Sequence, residues 1–212
     1  NLNRIWSAEW LDGTEDSPEL RRARELRPVV AAADHILDLH STAQDVQPFW
    51  VYPGFARNAQ AALAIARPAV HLQMPEGLGS GTPLIQHGAH GRDDHHGVAL
   101  VAECGQHFRR ATGELAVEVT LDFLAHFGLI EREPAPATAP QRYELLQTHV
   151  VRDPGFAFVR PLVGFETFDE GELIATNGAD ENRAPCNRCT VLMPTRQPIV
   201  GREGVYLARP IG

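Results

Sequence analysis

Residues 35–40 read His35-Ile36-Leu37-Asp38-Leu39-His40, a short apolar run closed by an imidazole. Its length and its β-branched and Leu content predict a strand. Upstream, Ser17-Pro18-Glu19 places a capping hydroxyl before a proline at the first helical position, which predicts a helix running to about Ala33. Leu20, Ala23, Leu26 and Val30 form the apolar side of that helix, and residues 1–16 read as irregular. Downstream, Pro48, Pro53 and Gly54 predict a long loop over 41–55, and the Ala-rich stretch Ala56–Ala66 predicts a helix stopped by Pro68. Residues 75–97 carry Gly77, Gly79, Gly81, Pro83, Gly88, Gly91 and Gly97 and read as a loop with at most one short strand. Val98–Ala102 predicts a second buried strand, ending on Glu103-Cys104-Gly105. A helix from about Phe108 to Phe127 follows, with Glu114, Glu118 and Asp122 as its wet stripe and Leu115, Val119, Phe123 and Phe127 as its packed one. Strands alternating with helices make residues 1–130 an α/β domain.

The texture changes after that. Residues 131–140, EREPAPATAP, alternate Pro and Ala and read as a stiff linker. Residues 141–212 hold short runs at Tyr143–Val151, Phe156–Pro161, Glu172–Thr176, Cys189–Met193 and Val205–Ala208, separated by Gly and Pro turns. This spacing predicts a small all-β domain.

The net charge of −8 lacks the clustered Lys and Arg that phosphate binding needs, which argues against a nucleic-acid partner. No apolar run approaches the roughly 18 residues of a membrane span. Cys104, Cys186 and Cys189 are an odd set that suggests no disulfide framework, so a reducing cytoplasm is the expected location. The first residue is Asn1 rather than Met, so a signal peptide or a whole N-terminal element could precede it.

The candidate chemistry lies at two strand ends. In open α/β sheets ligands bind beyond the carboxyl ends of the strands, and here those ends carry His40 and Glu103. A neutral imidazole is a good zinc ligand, and a nearby carboxylate can take a proton from zinc-bound water.

The local sequences carry a resemblance. Asp38-Leu39-His40-Ser41-Thr42 is similar to the DLHxT segment of the succinylglutamate desuccinylase/aspartoacylase family, and Val101-Ala102-Glu103-Cys104-Gly105 to its (V/L)E-x-G segment. Asn1-Leu2-Asn3-Arg4-Ile5-Trp6 resembles the end of its DLNR-x-F/W motif. The three stand in the family's order and spacing, and the likeness extends over nearly the whole chain. It implies a mixed sheet flanked by helices, like that of the zinc carboxypeptidases, followed by the small β domain. It also implies a Zn2+-dependent deacylase that cleaves the amide of a small N-acyl amino acid or related carboxylate-bearing compound. His40 would be the third zinc ligand and Glu103 the general base, while Asn3 and Arg4 would grip the substrate carboxylate. The family's first two zinc ligands lie in an HGxE-type segment upstream of DLNR, so the resemblance implies that this sequence is N-terminally incomplete. Two rivals stand beside the deacylase: a zinc carboxypeptidase acting on peptides, and a non-catalytic module that binds such metabolites without zinc.

Other clusters compete. His87, His90, His95 and His96, with Asp93 and Asp94, read as a polar loop lining the pocket, with metal binding as the weaker alternative. Arg92 is a candidate second anion clamp. Cys186-Asn187-Arg188-Cys189 is a lone C-x-x-C, read as a turn with packed thiols. Cys104, next to Glu103, is a conceivable nucleophile. The β domain could shape the substrate channel or mediate assembly into a homo-oligomer.

Overall fold

The structure, a computed structural model, describes residues 1–75, 81–136 and 138–212. Glycines 77 and 79 of the expected 75–97 loop, and Ala137 of the expected linker, lie outside the described residues. In chain order the elements are α1 (Ala8–Asp12), α2 (Pro18–Ala32), β1 (Ile36–Thr42), β2 (Phe49–Pro53), α3 (Ala56–Ile65), β3 (Val70–Met74), β4 (Ala99–Gln106), α4 (Arg110–His126) and β5 (Gln141–Val150). Then come β6 (Ala157–Phe158), β7 (Thr167–Phe168), β8 (Leu173–Asn177), β9 (Asp180–Arg183), β10 (Cys189–Leu192) and β11 (Glu203–Ile211).

Eight strands form one mixed sheet in the order β1-β4-β2-β3-β5-β11-β10-β7, and β6-β8-β9 form a second, three-stranded sheet. The fold is therefore a large mixed sheet flanked by helices, as the resemblance implied. The sheet runs past the Pro/Ala segment, because β5 pairs in parallel with β3 and antiparallel with β11. Strands from the two ends of the sequence thus sit side by side, and the C-terminal part contributes to the same cleft as β1 and β4.

Helix α2 starts where its sequence says, with Ser17 Oγ accepting the Leu20 N–H at 3.1 Å and Pro18 in the first turn. Its Leu20 and Ala23 are buried. The sheet is covered on one face by α3 and α4, which pack Ala62, Ile65, Val119 and Phe123 against Trp50, Tyr52, Leu100 and Ala102. On the other face Phe49, Val51, Leu72 and Val101 pack with Ile85 and, from α2, Val30. This alternation follows from the two-residue period of a strand.

Some expectations are corrected. Residues 1–16 are not wholly irregular: Leu2–Arg4 form a 3-10 turn and Ala8–Asp12 a short helix capped by Ser7. The expected loop over 41–55 contains β2, whose five residues are all buried. Phe49-Trp50-Val51-Tyr52 has strand chemistry, and its flanking prolines only bound it. Asp122 is not on a wet stripe: its carboxylate is buried and lies 2.6 Å from Arg67 Nε and 2.8 Å from Arg132 Nε. Glu118 pairs with the same two arginines, so this network fastens the start of the Pro/Ala segment to α4.

Candidate active site

The two strands that decide the fold also build the cleft. β1 and β4 are parallel, and the register pairs His40 directly with Glu103. Partners in a ladder project from the same face, so the imidazole and the carboxylate meet: His40 Nδ1 lies 3.5 Å from Glu103 Oε1. Asp38, two residues back along β1, places its Oδ2 3.0 Å from His40 Nε2. Asp38 first and Glu103 second hold the proton on His40 up to about 10, against the opposing effect of burial. Any positive charge on this ring, whether a proton or a bound cation, is favoured by the same two carboxylates. Glu103 itself is only 7% exposed, and its Oε2 is buried without a hydrogen-bond partner among the described residues. An unpartnered buried carboxylate oxygen is uncommon and points to a functional group rather than a structural one.

Past Glu103 the strand bulges. Thr42 pairs with Gln106, so Cys104 and Gly105 stand opposite the single residue Ser41. Gly105 takes φ +117, a conformation that side chains resist, and an added Cβ would meet Thr112 Oγ1 at 3.0 Å. Cys104 points to the helix face, among Val119 and Phe123. Burial pushes its thiol up to about 11. It faces away from the cleft, which removes the nucleophile reading.

Arg4 reaches the same cleft from the N-terminal segment. Ile5 bridges to Thr82, with Trp6 N–H bonding Thr82 O at 3.0 Å and Thr82 N–H bonding Arg4 O at 3.1 Å. Gly81 permits this contact, since a Cβ there would lie 2.3 Å from Arg4 O. The guanidinium donates to Glu203 Oε1 at 3.2 Å and Tyr206 Oη at 3.3 Å, both on β11. Burial works against its charge, and Tyr206 and Glu203 more than offset that, so its pKa is raised. Asn3 Oδ1 accepts the Leu84 N–H at 2.9 Å, so this side chain anchors the neighbouring loop.

A cavity of about 580 Å³ joins these groups, with Asn3, Arg4, His40, Glu103 and Tyr206 among its walls. A second, of about 620 Å³, opens from Glu103 toward Gln44, Thr195 and Arg196. Ser41, Glu103, Met193 and Tyr206 line both. The residues expected from sequence thus converge, and the structure adds Asp38, Glu203 and Tyr206. Asp38 was legible two residues before His40. Glu203 and Tyr206 were not, because they meet Arg4 from 199 and 202 residues away in sequence.

The expected histidine lining is corrected. None of His87, His90, His95 and His96 borders either cavity. His87 Nδ1 bonds to Trp6 O at 2.8 Å, and the other three sit at the amino ends of β1 and β4, near His35 and Val98. Arg92 is there too, exposed and paired with Asp94 at 3.0 Å, so it is no anion clamp for the cleft. Among the described residues no group of at least 3 His, Cys, Asp or Glu side chains is arranged to hold a metal ion. His40 fits as one zinc ligand, but a catalytic zinc takes about three protein ligands, and the described residues do not complete the set.

Comparison with known proteins gives the fold a family context. No family profile matches the chain, and no curated protein matches it. Solved structures do match over its whole length. Succinylglutamate desuccinylase from Vibrio cholerae aligns with a TM-score of 0.72 at 19% identity, covering 100% of this chain and 65% of that one. The enzyme of the same name from Vibrio parahaemolyticus gives 0.68 at 19%, with 100% and 65% coverage. A succinylglutamate desuccinylase/aspartoacylase from Rhodobacter sphaeroides gives 0.66 at 17%, with 100% and 68% coverage. The chain has the fold of the succinylglutamate desuccinylase/aspartoacylase proteins, and it spans about two thirds of the length of these structures. No helix among the described residues is long and apolar enough to cross a membrane.

Proposed function

We propose that this chain carries most of the active site of a deacylase that hydrolyses the amide of a small N-acyl amino acid or related carboxylate-bearing compound. The observation that carries this reading is the buried carboxylate of Glu103, with one oxygen unpartnered, set against His40 on the wall of a cavity that also holds Arg4. Glu103 takes the proton of the attacking water and returns it to the leaving amine. Arg4, held by Glu203 and Tyr206, presents its planar donors to the substrate carboxylate. Asn3, anchored by the Leu84 N–H at its Oδ1, adds a hydrogen bond to the same carboxylate from its amide NH2.

Zn2+ is the cofactor of this reading, with His40 one of its ligands and Asp38 orienting the ring from the other nitrogen. Because His40 stands alone among the described residues as a ligand, no step of the reaction is assigned to the metal. That solitary imidazole is also what favours the second reading, a module that binds carboxylate-bearing metabolites without turning them over. A small-molecule substrate in the cytoplasm, without nucleic-acid or membrane partners, completes the proposal; assembly into a homo-oligomer through the β part is open to test by light scattering.

The test compares hydrolysis of N-acyl amino acids with that of blocked dipeptides by the natural full-length protein, alongside Glu103→Gln. The deacylase reading expects turnover of the former, reduced roughly 10²–10⁴-fold in the variant. Preference for the dipeptide would make the protein a carboxypeptidase, and no turnover of either would leave the binding module.

A further inference from the structure

At the junction of the two cavities stands a pair that the reaction as described does not use. Ser41 Oγ lies 2.8 Å from His107 Nδ1. Ser41 borders both cavities, and His107 borders the one that contains Arg4. The bulge at Cys104–Gly105 brings them together: it carries β4 past the end of β1, where the His107 N–H bonds Thr42 O at 2.8 Å. The turn is fixed from both sides. Thr112 Oγ1 donates to Gln106 O at 2.8 Å, and Arg109 Nη2 pairs with Asp45 at 2.8 Å. The backbone that carries the imidazole is thus tied to β1 by the His107 N–H and, through Arg109, to the β1–β2 connection by an exposed ion pair.

The pair has a property independent of tautomer. If Ser41 donates to Nδ1, the imidazole keeps an Nε2–H. If Nδ1–H donates to Ser41, the hydroxyl hydrogen is free. Either arrangement leaves one donor for an oxygen in the cleft. Across the cavity Arg4 donates to Glu203 and Tyr206 with part of its guanidinium, and His40 stands between Asp38 and Glu103.

We propose that Ser41 and His107 form a second donor site for the substrate carboxylate, working with Arg4 to select N-acyl amino acids that carry a free acid. The inference rests on the deacylase reading and adds a specificity-determining pair to it. The pair binds and orients; proton transfer stays with Glu103.

The test uses the natural full-length protein and an N-acyl amino acid with one carboxylate, compared with the same compound amidated at that carboxylate. Ser41→Ala and His107→Ala should each raise KM for the acid about tenfold, the effect of losing one hydrogen bond to a charged group, with kcat little changed. Kinetics on the amidated compound should move less, since its amide oxygen accepts only the weaker, uncharged hydrogen bond. His107→Gln, which keeps an N–H donor, should recover most of the loss. An unchanged KM for the acid, or equal losses on acid and amide, would overturn the pair's role while Glu103→Gln still tested the deacylase reading. A wild type that hydrolyses no N-acyl amino acid would overturn both.

Discussion

The two ends of β1 and β4 invite comparison. At the amino ends, His35, His90, His95 and His96 crowd together, with His90–His95 ring centroids 5.0 Å apart and His95–His96 4.9 Å apart. At the carboxyl ends there is one imidazole on β1, His40, roughly 16 Å away along the strand. At the crowded end two of the rings hold backbone. His35 Nδ1 accepts the Val98 N–H at 3.1 Å, His95 Nδ1 accepts the Gly97 N–H at 3.0 Å, and His35 stacks on Phe127 at 3.6 Å. The sparse end faces a cavity and two carboxylates. The difference teaches that the number of histidines is a poor guide to chemistry. What matters is which end of the sheet they occupy and whether their rings face a cavity and carboxylates or the backbone.

The largest way to sharpen the contrast is Arg57→Ala. Arg57 gathers the His-rich loop by donating to the carbonyls of Gly97 at 2.8 Å, Asp93 at 3.2 Å, His90 at 3.1 Å and Arg92 at 2.7 Å. Losing these bonds should lower stability by about 2–3 kcal/mol in urea titrations while KM stays unchanged. A raised KM with intact stability would instead link that loop to the substrate. Asp38→Asn acts at the other end. It removes the charge behind His40 and should weaken the proposed zinc binding about tenfold in competition with a chelator, with little effect on the melting temperature. Unaltered affinity would mean that Asp38 does not orient the ring.

The smallest expected effect concerns pH. Burial lowers the affinity of both His35 and His90 for a proton. The unfolded chain takes up those protons near the ordinary value of 6.5, so this end contributes its full stability above that pH and loses it as the pH falls through the depressed values. His90→Leu should therefore lessen the loss of stability between pH 7 and pH 5, read from urea midpoints. An acid limb as steep as that of the wild type would show that His90 is not among its sources.

Much of this was legible in the sequence because it is local. Ser17-Pro18 announced α2, and the apolar runs into His40 and Glu103 announced the two strands whose register joins those residues. What escaped is non-local. β2 was hidden by its bounding prolines, and β7 and β9, of two and four residues, are set by pairing rather than by their own composition. The burial of Asp122 follows from Arg67 and Arg132, which a helical stripe cannot foresee. Glu203 and Tyr206 enter the cleft only because β11 pairs with β5 in the shared sheet. The His-rich loop misled because Gly-rich sequence looks free, whereas Arg57 ties it down on the far side.

Zinc content per chain, measured on the natural full-length protein with His40→Ala and the double variant His95→Ala/His96→Ala beside it, decides which end of the sheet holds the metal. The expected result is about one zinc in the wild type and in the double variant, and none in His40→Ala. Zinc kept by His40→Ala and lost from the double variant would place the metal chemistry at the opposite end of the sheet and contradict the proposed role of His40.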